Sequence, residues 1–297
     1  MSEDLPIYYD HSYSVYESEC PIKDTRFQPR GAIFIEADVK TTDDDWQPAI
    51  DEYKMVAVES TANQGLVGII PWAPLNLGRS DLEKFHLEIL AAGTPHSNSL
   101  VKGYRYLLQD KPDGAMLDEK FIDALNWLGE KGLVFDLGID FHRRGAKQLN
   151  EFITLLGKCH NVRFMMNHFA KPDIGREESF EEWRILMMRI IEASENSSNE
   201  LYFKFSGLFE EFGNVENVDD ITIINKSIPY FRFLLKAVDT KKLLWASDWP
   251  VCSMVSGKAA FKRWSDITER IFDILGVEDD IRESIYGENA LNGYNIK

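Results

Sequence analysis

Residues 132–171 read GLVFDLGIDFHRRGAKQLNEFITLLGKCHNVRFMMNHFAK, and this stretch decides the fold class. Apolar runs at 133–137 and 163–167 are each of strand length, and between them 146–159 carries apolar residues at helical spacing. Strand, amphipathic helix and strand in that order form the repeating unit of a parallel α/β fold. The same alternation extends in both directions. Further apolar runs at 32–36, 67–72, 101–106, 202–206 and 242–247 bring the expected strands to seven. Helix-period stretches follow at 44–63, 80–92, 118–131, 180–194, 221–238 and 258–275, with a last helix at 280–290. Near-continuous apolar strands imply that both faces of the sheet are covered.

A TIM-like (β/α)8 barrel fits this alternation, provided that an eighth strand exists. Only the first thirty residues remain to supply it. Residues 6–16 could form a strand, but Pro21, Pro29 and the lack of any helical period leave no room for a crossover helix before residue 32. The expectation is therefore a barrel whose first βα unit is missing or abbreviated, with an irregular segment over 1–30 and one barrel domain over 31–297. The polar stretches 94–99 and 195–200 read as loops. An open barrel leaves two strand edges bare, so self-association is expected unless the N-terminal segment covers the seam.

The chain has 297 residues, 44% of them hydrophobic, enough for a large core. Its 33 Lys and Arg against 49 Asp and Glu give a net charge of −16, which repels nucleic acid and anionic lipid surfaces. The longest apolar runs fall well short of the ~20 residues that cross a bilayer. Residues 1–10 carry acids without a basic or apolar leader, and Cys20, Cys159 and Cys252 are widely spaced and odd in number. A cytoplasmic, reducing location is expected.

In a parallel barrel the reactive groups gather at the C-terminal ends of the strands. The polar residues at such positions are Glu36, Asp38, Arg105, Asp136, Asp140, His142, Asn167, His168, Lys171, Lys204, Ser206 and Asp248. His168 and Asp248 are the sharpest, each closing an apolar strand with a proline within the next four residues. A histidine at one strand end and an aspartate at another can hold a divalent cation or activate a water. The plainer alternatives are a hydrogen-bonded structural histidine and an aspartate that caps its turn. Arg105 offers a guanidinium fork to a carboxylate or a lactone carbonyl, or else pairs with Asp110 or Asp136. His11, His86, His96 and His160 read as solvated. No H-x-H or H-E-x-x-H pair, Gly-x-Gly-x-x-Gly, Walker or Gly-x-Ser-x-Gly pattern occurs in 1–297.

Six motifs recur here in a familiar order: Gly103-Tyr104-Arg105-Tyr106-Leu107-Leu108-Gln109-Asp110, Gly132-Leu133-Val134-Phe135-Asp136-Leu137, Asn167-His168-Phe169-Ala170-Lys171-Pro172, Lys204-Phe205-Ser206-Gly207-Leu208, Ser247-Asp248-Trp249-Pro250-Val251 and Gly287-Glu288-Asn289-Ala290. In them the chain resembles the amidohydrolase-related (amidohydrolase 2) branch of the amidohydrolase superfamily, most closely its sugar lactonases such as L-rhamnono-1,4-lactonase and L-fuconolactonase. The resemblance implies a hydrolase that opens a small sugar-acid lactone. It implies that Asp248 takes a proton from the attacking water, that His168 binds metal or polarises the carbonyl, and that Arg105 holds substrate oxygens. Lys171 and Trp249 would line the substrate pocket. Zinc held by His168 and Asp248, with His11 as a third ligand, is the implied cofactor; a metal-free route is the alternative. The family's first strand normally ends in Asp-x-His-x-His, whereas the nearest stretch here is Tyr9-Asp10-His11-Ser12-Tyr13, with Tyr13 in the second histidine position. A catalytically impaired or truncated relative, acting as a binding protein or an inactive product, is the second expectation.

Overall fold

The structure, a computed structural model, describes residues 11–20, 31–212 and 218–297. All seven expected strands are present: β1 (Ala32–Ile35), β2 (Leu66–Ile70), β3 (Gly103–Arg105), β4 (Val134–Leu137), β5 (Arg163–Met166), β6 (Glu200–Phe205) and β7 (Leu243–Trp245). Between them lie α2 (Gln47–Ala62), α3 (Arg79–Ala92), α5 (Glu119–Lys131), α7 (Ala146–Leu156), α8 (Ser179–Glu195) and α9 (Asp220–Ala237), and α11 (Ala260–Leu275) follows β7. The α5 helix shows why the pattern was readable. Its Phe121, Ala124, Leu125 and Leu128 recur at helical spacing and are buried, Asp118 accepts from the Lys120 N–H at its start, and Gly132 ends it in the left-handed conformation.

Every strand pairing is parallel and sequential. β1 pairs with β2, and β3 through β7 form a second ladder in chain order. Hydrogen bonds from Lys102 N to Ile69 O (3.1 Å) and from Arg105 N to Pro71 O (2.9 Å) stitch the two ladders together. Among the described residues no ladder joins β7 to β1. Packing links them nevertheless: Ile70, Val134, Met165, Tyr202 and Leu244 form one apolar cluster with Tyr294, and Ile33 and Ile35 of β1 pack against it. The larger core lies between the strands and the helices, with Trp127, Trp183 and Trp264 fully buried. Among the described residues no helix is long and apolar enough to cross a membrane.

Two expectations need correction. Residues 6–10 lie outside the described residues, but Tyr13–Glu19 is a helix, α1, and not part of a strand, so the 1–30 segment is not wholly irregular. Tyr16 of α1 sets its ring edge-on to Trp249 at 5.4 Å and to Phe261 of α11 at 6.3 Å, while the Tyr13 N–H points at Glu59 of α2 (3.4 Å). The polar stretch 94–99 is not a loop either. Pro95–Leu100 forms α4, started by a reciprocal box in which Ser97 N donates to Thr94 Oγ1 (3.2 Å) and Thr94 N to Ser97 Oγ (2.9 Å). The smaller helices α6 (Phe141–Arg144), α10 (Cys252–Ser256), α12 (Asp279–Glu283) and α13 (Asn289–Gly293) complete the chain, a single π turn over Ser284–Glu288 joining the last two. The three cysteines are buried free thiols.

The β3–β4 pairing depends on one missing side chain. A Cβ on Gly103 would sit 2.1 Å from the Val134 carbonyl oxygen, closer than any real contact. Gly103→Ala is expected to lower stability by about 1–3 kcal/mol, the range for overpacking a tight interior. Urea unfolding would measure it, and an unchanged midpoint would refute this account of the pairing.

Candidate active site

The ends of β3, β5 and β6 converge on one buried carboxylate of β4. Asp136, near the end of β4, is fully buried and accepts hydrogen bonds from Lys204 Nζ (2.5 Å), Asn167 Nδ2 (2.7 Å) and the Tyr294 hydroxyl (2.7 Å). Burial by itself would push its carboxyl up; the Lys204 and Arg105 cations and these hydrogen bonds more than offset that and hold it below the usual range. Arg105 stands 3.9 Å from Asp136 through Nε, and 3.4 Å from Glu36. Glu36 is itself tied down by the Asp38 N–H (2.6 Å). Glu52 stands behind it on α2, accepting from Ala37 N (3.1 Å), and burial together with the Glu36 charge pushes its carboxyl up to about 8. Both acids stand closest to Arg105 at Nε, as ion pairs without a hydrogen bond there.

His168 leaves β5 on an unusual backbone. His168, Phe169, Ala170 and Lys171 all have positive φ (52°, 55°, 59° and 50°), one turn of left-handed coil that costs about 1–2 kcal/mol per residue. The surroundings hold it in place. Trp183 Nε1 donates to Phe169 O (2.8 Å), His142 N donates to Lys171 O (2.8 Å), and the Phe169 ring stacks on Phe205 at 5.1 Å. The turn aims the His168 ring across to β6, where Nδ1 meets Ser206 Oγ at 2.9 Å. Gly207, at φ 66°, leaves room for that ring, since a Cβ there would lie 2.3 Å from Nδ1.

The other imidazole nitrogen faces the end of β7, with His168 Nε2 3.4 Å from Asp248 Oδ1. Burial, and then the nearby Lys171, Arg105 and Lys204 cations, hold the imidazole well below its usual range, so it is neutral. Burial also raises Asp248, to about 7, with Glu210 adding repulsion and the same three cations offsetting part of it. A neutral imidazole and a carboxylate that ionises near neutrality therefore stand side by side, ringed by positive charge. That arrangement can withdraw a proton from water and stabilise a developing oxyanion.

The structure thus brings together Glu36, Arg105, Asp136, Asn167, His168, Lys171, Lys204, Ser206 and Asp248. Asp140 and His142 are drawn into a separate cluster: Arg143 pairs with Asp140 (2.7 Å), and His142 Nδ1 contacts Glu211 (2.6 Å) while Nε2 faces Asp173 (3.5 Å). Trp249 is fixed from the N-terminal side, its indole N–H donating to Glu19 (3.0 Å) and the His11 ring meeting it edge-on at 5.3 Å. His11 is therefore not simply solvated. Neither is His86, which contacts the Tyr104 hydroxyl at 2.6 Å and the Trp127 ring at 5.4 Å. Sequence reasoning missed Glu210, Glu211 and Tyr294, which lie outside the strand ends.

The donor set bears on a metal directly. Among the described residues no three His, Cys, Asp or Glu side chains converge as a ligand group. His168 and Asp248 supply two donors, and Lys171, Arg105 and Lys204 crowd them with positive charge. A tightly held divalent ion wants at least three protein ligands. The described residues do not fit one.

An amidohydrolase family model matches residues 40–296. The chain belongs to the amidohydrolase family. An L-rhamnono-gamma-lactonase of Scheffersomyces stipitis is 30% identical over 298 residues, spanning 92% of this chain and 87% of that protein. An L-fucono-1,5-lactonase of Burkholderia ambifaria is 25% identical over 197 residues, spanning 66% and 61%. A Burkholderia multivorans amidohydrolase crystallised with bound zinc superposes with a TM-score of 0.69 at 18% identity, over 83% of this chain and 80% of its own. The last of these establishes likeness of fold for this amidohydrolase.

Two outcomes test the geometry. Gly207→Ala should push the His168 ring off Ser206, seen as a changed imidazole resonance in NMR; an unmoved resonance would show that the ring has room. Asp248 is raised when folded, so its contribution to stability is complete below its unfolded value near 4 and declines as pH rises through about 7. Asp248→Asn should accordingly raise the melting temperature at pH 8 relative to the parent, with the gap narrowing toward pH 4. A gap independent of pH would contradict the assigned environment.

Proposed function

We propose that this amidohydrolase opens a small sugar-acid lactone, with Asp248 as general base. The observation that carries the reading is the His168–Asp248 pair, with the Arg105 charge acting on both members, in a chain similar to two proteins named lactonases. Ionised Asp248 takes a proton from a water, whose oxygen attacks the lactone carbonyl carbon. The hydroxyl of Ser206 can donate to His168 Nδ1, which leaves a proton on Nε2 for the carbonyl oxygen. The terminal amines of Arg105 offset the charge of the tetrahedral oxyanion and then hold the product carboxylate. When the ring C–O bond breaks, the alkoxide takes from Asp248 the proton that it removed from the water, and a hydroxy acid leaves. Lys171 and Trp249 line the pocket in this reading.

The fold supports it at a finer level as well. Seven sequential parallel strands, with the two end strands in one inner apolar cluster, agree with a TIM-like barrel whose first βα unit is missing or abbreviated. The contacts of α1 with α2 on one side and with Trp249 and α11 on the other support that reading. The domain would then run over 31–297 with α1 as its cover.

Acid release from aldonolactones tests the reading. The rate is expected to rise with pH to half its maximum near pH 7, as Asp248 ionises. Asp248→Asn should lose about a hundred-fold or more, the usual worth of a positioned base. Arg105→Lys should raise KM, since a point charge cannot reproduce the fork. No turnover above the spontaneous rate on several aldonolactones would overturn the assignment.

A further inference from the structure

Lys171 and Glu210 are two charged side chains that take no proton or bond in the proposed reaction. Lys171 Nζ stands 3.9 Å from Glu210 Oε2, and the side chains are only 12% and 20% exposed. At that separation they attract but do not share a normal hydrogen bond. No other described group hydrogen-bonds either head, although largely enclosed charged groups are normally well satisfied.

Both are held on pinned backbone. Lys171 ends the left-handed turn, with its carbonyl bonded to His142 N (2.8 Å). Glu210 sits in the short turn Phe209–Phe212, which packs against α10 and is anchored by buried Glu211 through His142 (2.6 Å) and Arg143 (3.3 Å). Lys171 closes the same left-handed turn that His168 begins, and the charges of Lys171 and Glu210 both bear on Asp248. Burial and the neighbouring carboxylates also leave Glu210 uneasy as an anion, so it gains from a ligand that donates to it.

We infer that Lys171 and Glu210 form a hydroxyl-binding subsite that makes the enzyme select a polyhydroxylated lactone over an unsubstituted ring. The inference rests on the lactonase reading and adds to it the two residues that read the ring hydroxyls. A hydroxyl is the group that serves both heads, accepting from the ammonium while donating to the carboxylate. Adjacent hydroxyls on a sugar ring can take one head each. An anionic substituent would instead face Glu210 and Asp248 together, and an apolar one would leave two enclosed charges unsatisfied.

The test compares kcat/KM for a six-carbon aldono-1,4-lactone and for γ-butyrolactone in the wild type, Glu210→Leu, Glu210→Gln and Lys171→Met. The preference for the polyhydroxylated ring should fall at least about ten-fold in Glu210→Leu and in Lys171→Met, mainly through KM, and less in Glu210→Gln, which keeps one acceptor oxygen. Equal losses on both rings, or an unchanged preference, would overturn the subsite while leaving the lactonase reading standing. Should Glu210→Leu fail to fold, the glutamine and methionine variants decide by the same comparison. If the wild type hydrolyses neither ring, the lactonase reading falls, and calorimetry with a 1,4-anhydrohexitol, which cannot be hydrolysed, decides the subsite. Binding that weakens in Glu210→Gln and Lys171→Met upholds it; absent or unaltered binding overturns it.

Discussion

A negative charge sealed inside the strands at Asp136 organises the rest of the molecule. A lone carboxylate there would be prohibitively costly, so the fold must deliver donors to it from every direction. Lys204 comes from β6, Asn167 from the end of β5, Tyr294 from the far end of the chain, and Arg105 approaches from β3. Each donor is thereby oriented for a second task. Lys204 and Arg105 add positive potential around His168 and Asp248, and Asn167 directly precedes the left-handed turn that carries His168. The charge network and the His168–Asp248 pair are thus one construction, and the pair inherits its setting from the buried carboxylate.

The strand framework was legible because burial on both faces writes itself into composition. Val134–Leu137 has every residue buried, and its apolar run survives a single interruption, Asp136. The helix α11 was equally plain, since Phe261, Trp264, Ile267, Thr268, Ile271 and Phe272 recur along one buried face. The α4 helix was hidden because its residues are polar and its stability comes from the exchange between Thr94 and Ser97, a signal of two residues and not of a period. His86 illustrates the opposite failure. It lies on a helix among charged neighbours in sequence, yet it is half-buried against Tyr104 and Trp127, which belong to β3 and α5.

For the site, the residues that end strands were found by position alone, as His168 and Asp248 show. Choosing among Arg105's partners was beyond reach: Asp110 and Asp136 were both open, and the structure adds Glu36, whose side chain arrives from a strand seventy residues earlier. Glu210 and Glu211 carried no signal at all, because a four-residue turn has no periodicity and adjacent acids usually mean a solvated surface. What separates them is tertiary: one is buried against Arg143, the other faces Lys171.

Tyr294 reaches Asp136 across 158 positions of sequence. Closing a loop over such a span costs more chain entropy than pairing neighbouring strands, so this contact needs a strong return. Its ring is the sixth member of the inner cluster with Ile70, Val134, Met165, Tyr202 and Leu244. Its hydroxyl donates to the buried carboxylate. One side chain near the end of the chain thus fastens the tail to the interior by packing and by a hydrogen bond together, and a substitution there forfeits both.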